Sequence, residues 1–88
     1  MKMLIAILKD DDIEKVVQAM TADNFRVTRV ASTGGFFHKG NTTLFVGMED
    51  DKVDAAIGLI RANVAPSAQE SHKNTTVFVV PVSRFEQI

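Results

Sequence analysis

The chain has 88 residues, 45% of them hydrophobic, and a formal charge of −1. That length bounds a single domain, residues 1–88, with one modest core. The near-neutral balance excludes general DNA or RNA binding, which needs a basic face. The absence of cysteine excludes a disulfide framework, a thiol nucleophile and a thiolate metal site.

Met3 to Leu8 is an unbroken apolar run, the pattern of a strand buried on both faces. Its apolar core of six residues runs directly into Asp10-Asp11-Asp12 with no small-residue cleavage site, so it is not read as a signal peptide. No segment has the roughly 18 to 20 apolar residues that span a bilayer, and a soluble, cytoplasmic protein is expected. Asp10, Asp11 and Asp12 supply N-cap candidates, with Asp11 and Glu14 as a capping-box-like pair. The following helix places Ile13, Val16, Val17 and Met20 on one stripe and should stop near Asp23-Asn24.

Phe25 to Ser32 alternates as a strand, with a slip near its end that suggests a bulge or twist. At period two, Asn24, Arg26 and Thr28 share a face. A second strand spans Thr43 to Met48. Glu49, Asp50 and Asp51 then cap a helix carrying Val53, Ala56, Ile57 and Ile60 on its apolar stripe. Asn63 to Asn74 reads as a connection, Thr75 to Pro81 as the last strand, and Val82 to Ile88 as an edge or subunit contact. The order β-α-β-β-α-β is the ferredoxin-like, split-βαβ pattern of the α+β class. It predicts a four-stranded antiparallel sheet with both helices on one face. The other face is left bare, so a homo-oligomer is expected to cover it.

The richest chemistry lies in Thr33-Gly34-Gly35-Phe36-Phe37-His38-Lys39-Gly40-Asn41-Thr42-Thr43, longer than a hairpin turn requires. The glycines serve equally as positive-φ positions of a long hairpin loop or as an anion-binding nest of N–H groups. Phe36 and Phe37 are adjacent, so one of them either packs on a neighbouring subunit or stacks on a base. Arg26 suits a phosphate or purine edge, against the simpler reading of a strand arginine paired with an acid. His38 and His72 have no ligand cluster around them and predict no metal site. No nucleophilic triad or cleft carboxylate pair stands out, so no enzyme is predicted and no cofactor is called for.

Asn24-Phe25-Arg26-Val27-Thr28, Thr33-Gly34-Gly35-Phe36 and Gly40-Asn41-Thr42-Thr43 together resemble the PII-like cyclic-di-AMP receptor family. Met1-Lys2-Met3, Asp51-Lys52-Val53-Asp54 and Thr76 to Val82 extend the resemblance along nearly the whole chain. It implies a PII-like homotrimer with sheets facing inward and cyclic-di-AMP held in clefts between subunits. By matching position, the ligand-binding candidates are Asn24, Arg26, Thr28, Gly35, Phe36, Phe37, Asn41, Thr42 and Gly47. Arg26 and Thr28 would meet polar edges of the ligand, Phe36 would offer an apolar face and Asn41 would bind an adenine edge. The implied function is non-catalytic signal transduction to a protein effector of unknown identity. The chain departs from the family between its second helix and last strand, where about a dozen residues without glycine replace a long glycine-containing loop. That removes the basis for carrying over a ligand contact or a large switching motion there. The alternatives are a PII-like trimer that binds another adenine nucleotide or regulates a protein or transporter, and a small ferredoxin-like enzyme of the acylphosphatase or nucleotide-processing type.

Overall fold

β-branched and aliphatic side chains favour the pleated, half-buried backbone of a sheet, and the apolar run at the N-terminus forms strand β1 (Lys2–Lys9). The computed structural model describes residues 1–31, 40–64 and 75–88, without the side chain of Ala31. Helix α1 (Asp10–Ala22) follows β1 directly. Strands β2 (Val27–Ala31) and β3 (Asn41–Met48) come next. A 3₁₀ turn at Asp50–Lys52 leads into α2 (Val53–Asn63), and β4 (Thr76–Pro81) is the last strand. The sheet order is β2-β3-β1-β4, and every pair is antiparallel. This is the ferredoxin-like α+β arrangement, with the two split βαβ units placing β1 and β3 side by side at its centre.

Alternation along β1 divides the sheet into two faces. Leu4, Ala6 and Leu8 are fully buried and stand opposite Val46, Leu44 and Thr42 of β3. Ile13, Val16 and Met20 of α1 join them in the core, with Ala56 and Ile60 of α2. Val17, Val53 and Ile57 complete the two helical stripes as half-buried flanks. Truncating such a buried leucine to alanine costs about 2–5 kcal/mol.

The opposite face carries Met3, Ile5 and Ile7. Ile5 pairs with Phe45 on one side and Phe78 on the other, and Phe45 pairs with Thr28. A single row, Thr28-Phe45-Ile5-Phe78, therefore crosses all four strands. Phe78 remains 52% exposed and Val80 38%, so the bare apolar face expected from the sequence is present.

Three local expectations need correction. None of the acidic residues caps a helix through its side chain. The N-cap of α1 is Lys9, and Asp10, Asp11 and Asp12 occupy its first turn. There they complement the positive end of the helix dipole instead. Glu49 holds the N-cap position of the 3₁₀ turn without a side-chain bond, and Asp50 and Asp51 lie inside it. Finally, β2 begins at Val27, not Phe25, so Asn24 does not share a strand face with Arg26 and Thr28.

Candidate functional site

Asn24 lies outside β2 because α1 ends in a left-handed turn. Asp23 is the C-cap, and Asn24 has φ of +67°. The Asn24 N–H donates to the Thr21 carbonyl (3.0 Å), and the Phe25 N–H donates to the Met20 carbonyl (2.9 Å). This is a Schellman motif, and its usual apolar contact follows from Phe25 packing against the core that holds Met20. Asparagine tolerates the left-handed region better than other residues with a side chain beyond Cβ. Asn24→Gly should therefore keep the unfolding midpoint, whereas Asn24→Ala should cost about 1 kcal/mol, as denaturant titration would show. Glycine is thus the replacement that removes the amide without disturbing the turn.

The Schellman turn forms one rim of an open groove of about 540 Å³, within the range of small-molecule sites. Asp23, Asn24, Phe25 and Arg26 line that rim. Gly47, Met48 and Glu49, at the end of β3, form the floor. Lys52 and Ala55, where α2 begins, form the far side. Arg26 and Lys52 bring positive charge, and Asp23 and Glu49 balance it. Among the described residues the side-chain partner of Arg26 is neutral, because Nη1 donates to Gln87 Oε1 at 3.0 Å. The acid-paired arginine of this strand is Arg29, 2.9 Å from Glu14 on α1.

Gly47 sits on the open sheet face opposite Met3. Its φ is not positive, and a Cβ built on it would meet nothing within 4 Å. Neither the backbone nor the packing of a single chain calls for glycine at this position.

Asn41 and Thr42 lie at the other end of β3, about 20 Å from Gly47 at the rise of an extended strand. Thr42 is buried and its hydroxyl donates to Asp10 Oδ1 at 2.5 Å. The Asp10 N–H donates to the Gly40 carbonyl at 2.8 Å, so the start of α1 is fastened to the start of β3. Gly40, with φ of +92°, makes the turn that enters β3. Thr28 is exposed between the two groups, on the open face opposite Phe45. Gly35, Phe36 and Phe37 lie outside the described residues, as do His38 and His72.

The structure thus brings Asn24, Arg26 and Gly47 together and leaves Asn41 and Thr42 apart from them. Sequence reasoning did not single out the groove's other lining residues, Asp23, Phe25, Met48, Glu49, Lys52 and Ala55, nor Gln87, the partner of Arg26. A helical register starting at Lys52 would have put Lys52 and Ala55 on one side. Nothing local links Gln87 to Arg26, 61 residues away. Among the described residues no group of histidine and acidic side chains is arranged to hold a metal, and no helix is long and apolar enough to cross a membrane.

Comparison with known proteins adds two findings. The chain aligns with a crystal structure of a functionally unknown protein from Pediococcus pentosaceus at a TM-score of 0.79 and 29% identity, covering 99% of this chain and 96% of that one. A family model described as cyclic-di-AMP receptor matches residues 1–72. A match over that much of the chain, on a ferredoxin-like frame with the Asn24-to-Thr28 and Gly40-to-Thr43 segments inside it, makes this protein a member of the cyclic-di-AMP receptor family.

Proposed function

We propose that this protein is a non-catalytic, cytoplasmic receptor that binds cyclic-di-AMP in clefts between the subunits of a homotrimer and signals to a protein effector. The observation that carries this reading is the convergence of Asn24 and Arg26, from the turn after α1, with Gly47, from the end of β3, on one groove in a chain of the receptor family. Arg26 supplies a fork of donors suited to a phosphate. Glycine inside a strand weakens it unless something must approach closely, and at Gly47 that something lies outside the chain. The roughly 20 Å between Gly47 and Asn41 supports a cleft to which neighbouring copies contribute opposite ends of β3. Thr28, on the bare face, would then stand at the seam. Gly35, Phe36, Phe37, Asn41 and Thr42 complete the proposed ligand set, with Phe36 as a stacking face.

Calorimetric titration with cyclic-di-AMP tests the reading, with ATP, ADP and AMP as competitors for the same site. Saturable binding with one site per subunit is expected, and no heat at high micromolar ligand would overturn it. Preference for a mononucleotide would replace the ligand and keep the receptor. Gly47→Ala should leave unfolding unchanged and reduce affinity by at least about tenfold, because its methyl group takes the space needed for close approach.

A further inference from the structure

We propose that Gln87 is a positioning residue, holding the Arg26 guanidinium ready for a phosphate of the nucleotide; this role rests on the cyclic-di-AMP reading above. Gln87 lies beyond the residues matched by the family model. The fold explains how it reaches Arg26. Pro81 of β4 pairs with Lys2, and Lys2 pairs with Met48, so the tail leaves the sheet at the end where the groove opens. The Val82 N–H then donates to the Met1 carbonyl at 3.0 Å, fixing the direction of departure. From β4 to β2 is three strand spacings, about 14 Å, and the residues from Val82 to Gln87 are long enough to cross it.

The chemistry of the tail favours orienting Arg26 over blocking it. A guanidinium has five N–H donors, and Gln87 takes one through Nη1. The remaining donors stay available for a bidentate contact. The acceptor is a neutral amide, so the positive charge is retained. A carboxylate is present one residue away, but Glu86 is held by Arg84 through both Nε and Nη2. In this arrangement the amide of Gln87, and not the neighbouring carboxylate, meets Arg26. Arg26 is exposed, and a free arginine loses considerable rotamer freedom when it binds. Fixing it beforehand moves that loss from binding into folding.

Two measurements test the role. Side-chain ¹⁵Nε relaxation of Arg26 in the ligand-free protein should show greater mobility in Gln87→Ala than in the wild type, at unchanged subunit mass and unfolding midpoint. Titration with cyclic-di-AMP should show binding weakened about 3- to 10-fold by the lost hydrogen bond. That loss should vanish in an Arg26→Ala background, since Gln87 acts through Arg26. Gln87→Glu should keep Arg26 ordered but still weaken binding, because it neutralises the guanidinium. Unchanged Arg26 mobility in Gln87→Ala overturns the proposal. So does an undiminished effect in the Arg26→Ala background, which would mean that Gln87 touches the ligand itself. If the wild-type protein gave no cyclic-di-AMP binding, the functional reading would fail while the relaxation comparison still decided whether Gln87 positions Arg26.

Discussion

Arg26→Ala should weaken cyclic-di-AMP binding by on the order of 10- to 100-fold, the range for losing hydrogen bonds from a charged group. The protein should fold as before, because the Arg26 side chain is exposed and its contact with Gln87 is also at the surface. Surface substitutions of this kind usually change stability by less than about 0.5 kcal/mol. Arg26→Lys separates charge from shape. It keeps the cation but loses the planar fork, so it should recover part of the affinity and little of the discrimination among nucleotides. Raising salt should weaken the wild type more than the alanine variant, since the variant has already lost the charge that salt screens. Titration of the three proteins at two salt concentrations reads all of this. Equal affinity of wild type and Arg26→Ala would remove Arg26 from the site.

Phe78→Asp should leave the protein as single chains if the open sheet face is the seam of the homotrimer proposed above. In solution the wild type is expected near 29 kDa by light scattering, three copies of the 9.7 kDa chain. Phe78 ends the row that crosses the open face through Ile5 and Phe45, and it is too exposed to be needed by the core of one chain. Burying a carboxylate there without a partner costs several kcal/mol at each copy, and a closed assembly meets that cost at every subunit. The variant should stay folded by circular dichroism, run as a monomer, and lose nucleotide binding with the cleft. A variant that still formed trimers would place the interface elsewhere on the surface.

The helical stripes were legible in the sequence because burial demands a period that few other structures share. Ile13, Val16, Val17 and Met20 all face the core for that reason. The bare face was legible from β1, whose odd and even positions are both apolar, a pattern that one layer of helices covers only in part. Capping was not legible. Three consecutive acids offer three candidate caps, and the choice depends on backbone angles that the residues do not announce. Here the chain enters the helix one residue earlier, at Lys9. The face shared by Asn24, Arg26 and Thr28 failed for a related reason. A single positive φ at Asn24 breaks alternation at the point where the count was started. Arg26 was a candidate from its chemistry and from family resemblance, but its partner was hidden, since a contact across the whole chain exists only once four strands have been laid side by side.

The bonds from Asp10 to Gly40 and Thr42 have a mechanical consequence. Helix α1, with 13 residues and a length of about 20 Å, is pinned at its first turn to the entrance of β3 and at its last turn becomes the rim that carries Asn24 and Arg26. The two ends of the candidate ligand set, well separated along β3, are thus joined a second time, through the helix. Replacing Asp10 by alanine would remove the Thr42 bond and loosen that linkage while leaving every member of the candidate ligand set in place.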